Sequence, residues 1–198
     1  MKKYAFFIRN FLLFLFFSGC VSTNYQLDGN ADWNSRKLDL ERLNNWKFNS
    51  RIFIKDQTNS FSAKLDWRQE GDSYFAKARS LFGGVVFDLK GDATKFKLID
   101  RQGETITAQN KRKDNYIDDK FEFPLTSFRY WIIGIPDPDQ SLDYKPNDTD
   151  QLVSFGQRGW SVSIKSYMFV EGKYLPKQIM ANKENTEIRI VIDSWFLY

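Results

Sequence analysis

From Trp46 onward the dominant signal in the chain is a two-residue alternation of apolar and polar side chains, broken at short intervals by turn residues. Trp46, Phe48, Ser50, Ile52 and Ile54 share one face, Lys47, Asn49, Arg51 and Lys55 lie on the other, and Phe53 breaks the pattern. Phe61, Ala63, Leu65 and Trp67 alternate with Ser62, Lys64, Asp66 and Arg68. Tyr74, Ala76 and Ala78 follow, then Val85, Phe87 and Leu89, then Phe96 and Leu98, then a run around Thr105–Ala108. Successive side chains of a strand point to opposite faces, so such runs are strands with one face buried. Strands joined by turns about every 8–12 residues specify an antiparallel meander.

The period changes after Gln109. Asn110–Lys120 is charged and compatible with a helix. In Leu125–Ile133, residues Leu125, Phe128, Trp131 and Ile132 recur at helical spacing, with Pro124 before them and Gly134 just beyond. Proline in the first turn and glycine past the last are the expected helix boundaries. Strand signals return at Leu152–Gln157, Trp160–Ser166, Lys177–Asn182 and Glu187–Trp195. The whole predicts a mainly β protein of about eleven strands and roughly two or three helices. The aromatic content, 17%, suits it, because aromatic residues favour strands.

The start of the chain, Met1–Cys20, follows different rules. Lys2, Lys3 and Arg9 precede an unbroken apolar run, Phe11–Phe17, followed by small residues and the single cysteine, Cys20. Charge, apolar run and small residues, in that order, mark a secretory signal peptide, and the run is short against the roughly 20 residues of a spanning helix. Phe17-Ser18-Gly19-Cys20 resembles a bacterial lipobox, with Phe17 where leucine is usual. The resemblance implies a signal peptide over residues 1–19, cleavage before Cys20, and acyl chains on that residue's sulfur and amine. Stable anchoring takes two lipid signals, and three acyl chains exceed that. Residues 20–37 then form the lipidated N-terminus and a polar tether, with about 50 Å of reach at ~3.3 Å per residue over Val21–Arg36. Residues 38–198 form the folded domain, opening on a short helical pattern at Leu38, Leu40 and Leu43.

Composition narrows the chemistry. The sequence has no histidine and one cysteine. A Ser-His-Asp or Cys-His arrangement cannot be built, nor can a histidine-ligated zinc site, and acylation of Cys20 removes the only thiol. A carboxylate pair for glycoside hydrolysis remains possible among the 25 acidic residues, though none sits in a catalytic context; the expectation is that the protein is not an enzyme and uses no metal and no cofactor. The net charge of +4 falls to about +1 without the three basic residues of the leader. The remaining charges alternate in sign, as in Lys111-Arg112-Lys113-Asp114, so nucleic acid is not an expected partner.

Two features stand out as candidate binding elements. Ser80-Leu81-Phe82-Gly83-Gly84 lies between two strands, where polar residues are expected. Leu81 and Phe82 either fold back onto the core or form an exposed wedge that enters a bilayer or a partner. The second feature is the bulk of the inward face, with Trp46, Phe48, Phe61, Leu65, Trp67 and Phe87 on the sheet and Phe128, Trp131 and Ile132 on the helix. These side chains either fill one core or line an open barrel in which acyl chains lie under a helical lid. Periodicity does not separate the two.

Phe128-Arg129-Tyr130-Trp131-Ile132-Ile133-Gly134-Ile135-Pro136, Gln157-Arg158-Gly159-Trp160, Leu175-Pro176 and Ile190-Val191-Ile192-Asp193-Ser194-Trp195, in this order behind a lipobox, resemble the outer-membrane lipoprotein receptor LolB family. The family's apolar loop reads like Ser-Pro-Leu-Gly; Phe82 stands where its exposed leucine would be, and Leu81 replaces the proline. The resemblance implies an unclosed antiparallel β-barrel of about eleven strands with helices over its opening. It also implies a monomer, lipid-anchored in the outer membrane and facing the periplasm. Its partners would be the periplasmic carrier LolA, triacylated lipoproteins and outer-membrane lipids. Val21, after the lipidated cysteine, fits the outer membrane, since aspartate there retains lipoproteins in the inner one. The rival reading is a structural lipoprotein that docks a protein partner on a filled core.

Overall fold

The structure, a computed structural model, describes residues 33–109, 116–118, 121–122, 125–138, 143–146 and 152–198. Cys20 and the leader lie outside the described residues, as do Pro124 and most of the charged stretch after Gln109. The described residues open with helix α1 (Trp33–Glu41). Six strands follow in a meander: β1 (Asn45–Lys55), β2 (Ser60–Glu70), β3 (Ser73–Arg79), β4 (Val85–Gly91), β5 (Lys95–Asp100) and β6 (Thr105–Gln109). A small hairpin, β7 (Tyr116–Asp118) and β8 (Phe121–Glu122), precedes helix α2 (Leu125–Ile132). Five further strands complete the fold: β9 (Asp143–Pro146), β10 (Leu152–Gln157), β11 (Trp160–Val170), β12 (Lys173–Lys183) and β13 (Thr186–Leu197).

Eleven of the strands form one sheet in the order β6-β5-β4-β3-β2-β1-β13-β12-β11-β10-β9. All neighbours in it pair antiparallel. The first and last strands of the chain meet at its middle, where β1 pairs β13, and the sheet remains open, with β6 and β9 as its edges. Alternation in the sequence becomes alternation in burial: in β1 Trp46, Phe48, Ser50, Ile52 and Ile54 are buried while their neighbours face outward. One bulge corrects the count in β13. Phe48 faces Trp195 and Ser50 faces Ile192, so Asp193 is an extra residue. The insertion lets Trp195 join Ile188, Ile190 and Ile192 on the inner face despite its odd number.

Helix α2 lies against that inner face with Leu125, Phe128, Trp131 and Ile132 buried. It ends in a Schellman motif: Ile135 N–H donates to Tyr130 O at 3.1 Å and Gly134 N–H to Trp131 O at 3.1 Å. Gly134 takes φ 89°, and a Cβ there would stand 3.0 Å from Pro176 Cγ. Glycine is therefore required twice over, by backbone and by the close approach of β12.

The sequence reading needs three corrections. The first described helix spans Trp33–Glu41, so it begins inside the stretch taken as tether, and Leu38 is exposed while Leu40 is buried. The charged stretch contains a strand at Tyr116–Asp118 where a helix was compatible with the composition. Strand β9 was not foreseen, because Asp143–Pro146 is too short and too polar to show a period.

Candidate functional site

The loop between β3 and β4 is built by Ser80 and two glycines. Ser80 N–H donates to Gly84 O at 2.8 Å and Gly83 N–H donates to Ser80 O at 2.9 Å. Gly84 N–H donates to Ser80 Oγ at 3.2 Å. Gly83 adopts φ 91°, so this is a three-residue hairpin loop closed by a left-handed glycine. The backbone groups of the loop are satisfied at its base, and Leu81 and Phe82 occupy the tip. Phe82 is 100% exposed and Leu81 63%. The tip does not fold back onto the core. Next to it, Val85 is also exposed, and a register shift between Ala78 and Arg79 sets the strand into the loop.

The aromatic face gathers the other residues singled out from the sequence. Trp46, Phe48, Leu65, Trp67, Phe128, Trp131 and Ile132 are all buried, and Phe61 and Phe87 are half-buried and packed against them. Three ring clusters run along the interior. Trp46 stacks on Phe48 at 5.9 Å between centroids, and Trp195 closes on both edges. Trp67 stacks on Tyr74 at 5.3 Å, with Phe128 of α2 tilted against it at 4.9 Å. Trp131 of α2 meets Phe155 and Trp160 at 6.1 and 6.2 Å. In this conformation α2 thus rests in ring-to-ring contact with the sheet. Of the two arrangements left open by the sequence, the described residues display helix and sheet packed together.

What holds α2 is a small buried polar hub. Gln157 Oε1 accepts from Trp131 Nε1 at 2.9 Å and from the Asp137 amide at 2.9 Å, while Gln157 Nε2 donates to Asp137 O at 2.9 Å. Ser127 Oγ donates to Asp137 Oδ2 at 2.6 Å. Arg158 approaches the same carboxylate at 3.7 Å. Outside, Arg129 pairs with Asp72 on the β2–β3 turn at 2.5 Å. On its Phe128 side the helix meets the sheet through the Trp67 ring. Sequence reasoning missed Gln157 and Asp137 as a unit. The one signal for them was a glutamine at an inward position of an alternating strand. Helix α1 docks by Arg36, which donates to Tyr174 O at 2.8 Å and lies over the Tyr167 ring. Burial holds the Arg36 guanidinium below its ordinary pKa and pushes the Tyr167 phenol up.

The open antiparallel sheet with a helix on its concave, apolar side defines a class, and solved structures share it. The fold is similar to that of a LolA superfamily protein from Nitrosomonas europaea, with a TM-score of 0.54 over 85% of this chain and 94% of that one, at 7% identity. Residues 44–195 match the family model described as outer membrane lipoprotein LolB. The chain is 26% identical over 183 residues to the outer-membrane lipoprotein LolB of Tolumonas auensis, covering 92% of each chain. It is 27% identical over 187 residues to that of Francisella tularensis subsp. tularensis, covering 93% of this chain and 90% of the relative. The chain belongs to the LolB family. No helix among the described residues is long and apolar enough to cross a membrane.

Proposed function

We propose that this protein is an outer-membrane receptor that accepts triacylated lipoproteins from the periplasmic carrier LolA and releases them into the inner leaflet of the outer membrane. Its own anchor is the acylated Cys20, exposed by removal of residues 1–19, and it acts as a monomer without cofactor and without catalysis. Family membership supports the reading. The observation that carries it is the β3–β4 loop, whose base is fully bonded while Phe82 stands bare in solvent.

The aromatic face is the place for acyl chains. Rings and aliphatic side chains shield hydrocarbon from water without directional bonds, so nothing specific must break when the chains leave for lipid. The cluster around Trp67–Phe128 is where an acyl chain would take the place of α2 by exchanging one apolar contact for another; at Trp131–Trp160 the exchange also gives up the Trp131–Gln157 hydrogen bond. The Phe82 tip then reaches the bilayer and lowers the barrier to transfer. Burying a phenylalanine contributes roughly 1.5–3 kcal/mol, enough to hold a tip in lipid transiently and too little to trap it.

A protein-docking lipoprotein is the second reading, favoured by the ring contacts between α2 and the sheet. Phe82→Glu separates the two. As a receptor, the variant still takes a lipoprotein from the carrier but fails to insert it into outer-membrane vesicles. Unchanged insertion by the variant removes the wedge from the account.

A further inference from the structure

The outer face of the sheet carries a groove that the receptor reading does not use. A cavity of about 550 Å³ lies over β1–β5 on the side away from α2, floored by Trp67, Ala76 and Leu89. A second, of about 240 Å³, continues past Phe75 to Lys97 and Thr107. Strand pairing sets one transverse row of side chains across this surface. Phe196 pairs with Lys47, Lys47 with Arg68, Arg68 with Phe75, Phe75 with Lys90, and Lys90 with Lys97. Aromatic and cationic side chains thus share one line, with Phe75 46% exposed at its centre.

The charges in the groove do not cancel. Arg79 pairs with Asp66 at 2.7 Å and Lys77 with Asp88 at 3.2 Å, which neutralises the two carboxylates lining the first cavity; the second adds one, Asp92, which faces the charge of Lys95. Arg68 is paired with Glu70. Lys47, Lys90 and Lys97 take part in no ion pair among the described residues, and Lys47 sits 4.4 Å over the Phe196 ring. The surplus is therefore positive and concentrated on the row. A concave surface with unpaired cations beside exposed rings complements a ligand that is anionic and apolar in alternation.

A membrane is a poor fit to that position. Phe75 stands five residues before Ser80, about 17 Å along the strand from the wedge loop. The headgroup layer outside the hydrocarbon is only about 5–7 Å deep on each side. With Phe82 in lipid, the row lies beyond the headgroups, more than a Debye length of about 8 Å from them.

We propose that this row binds an acidic, aromatic-containing segment of a partner protein, laid across β1–β5 on the face opposite α2. The four strand spacings of about 4.8 Å from β1 to β5 accommodate roughly six extended residues. The site is independent of acyl-chain handling: a partner held here would be positioned while the apolar face remains free.

The test uses the lipidated full-length protein in phosphatidylethanolamine nanodiscs, titrated with a fluorescein-labelled peptide of alternating Glu, Asp and Phe. The wild type binds it with an affinity that falls as salt rises, and the same peptide with Lys for each acid does not bind. Lys90→Glu with Lys97→Glu weakens binding by about tenfold or more and leaves insertion of lipoproteins unchanged. Should that pair lower the melting temperature, Lys90→Gln with Lys97→Gln reads the same contacts without charge reversal. Equal binding of both peptides, or undiminished affinity in the folded variants, overturns the proposal. Loss of peptide binding when phosphatidylglycerol enters the nanodisc overturns it in favour of a lipid headgroup.

Discussion

Two loops at the same end of the sheet have the same backbone and opposite tips. Around β3–β4, Ser80 N–H reaches Gly84 O, Gly83 N–H returns to Ser80 O, and Gly84 N–H bonds the Ser80 side chain. Around β5–β6, Asp100 N–H reaches Glu104 O at 3.0 Å, Gly103 N–H returns to Asp100 O at 3.2 Å, and Glu104 N–H bonds Asp100 Oδ1 at 2.8 Å. Gly83 and Gly103 take φ 91° and 83°. The tip of one is Leu81-Phe82 and of the other Arg101-Gln102, all four exposed. The scaffold therefore does not require an apolar tip. A fully exposed phenylalanine gives the fold nothing that glutamine does not, and so its reason lies outside the chain.

The largest effect expected from this contrast comes from moving one tip onto the other loop. Leu81→Arg with Phe82→Gln should leave the melting temperature within about 2 °C, because no packing is lost. Insertion of lipoproteins into vesicles should fall roughly 10- to 100-fold, the equivalent of one phenylalanine withdrawn from lipid. A normal insertion rate would break the comparison.

The glycines sharpen it. Gly83→Val and Gly103→Val each force a side chain into a left-handed backbone, with no heavy atom within 4 Å to clash. Each should cost about 1–2 kcal/mol, or roughly 2–8 °C of melting temperature in a domain of this size. Thermal unfolding should report both alike, whereas vesicle insertion should suffer only in the Gly83 variant.

The smallest effect is in acid. Asp56 caps the β1–β2 turn, accepting from Thr58 N–H and Asn59 N–H at 2.7 Å each, and Asp92 caps the β4–β5 turn through Thr94 and Lys95. For Asp56 the backbone bonds, and for Asp92 the Thr94 hydroxyl first, hold the carboxylate below its ordinary pKa. A depressed folded-state value means the stabilisation is complete above the usual aspartate range near ~3.9 and is lost as pH falls through the lower, folded value. Amide exchange at Thr58, Asn59 and Thr94 should accelerate there, while Gly83, bonded to the Ser80 carbonyl, and Gly84, bonded to the Ser80 hydroxyl, face no titrating group and should not change.

Much of the fold was legible because one face of nearly every strand is buried, which imprints the period on the sequence. What escaped has a physical reason. Asp143–Pro146 is an edge strand of four residues, too short and too polar for a two-residue period to be read. The Asp193 bulge shifts Trp195 by one residue, and a strict two-residue count puts that tryptophan on the wrong face. At the site, the apolar tip was conspicuous by its chemistry, but its exposure depended on Ser80 and Gly83 closing the loop beneath it. The row of Lys47, Arg68, Phe75, Lys90 and Lys97 was invisible in sequence, since only strand register brings it together.

The central claim is that the ring-lined face gives up its contact with α2 to receive acyl chains. A photoreactive phenylalanine analogue at position 131 tests it directly, since Trp131 stands between α2 and the Phe155–Trp160 rings. With a triacylated lipoprotein delivered by the carrier, crosslinks should form to its acyl chains and disappear after release into vesicles. Stable binding of the lipoprotein with crosslinks only to its polypeptide, or only within the chain, would contradict the account.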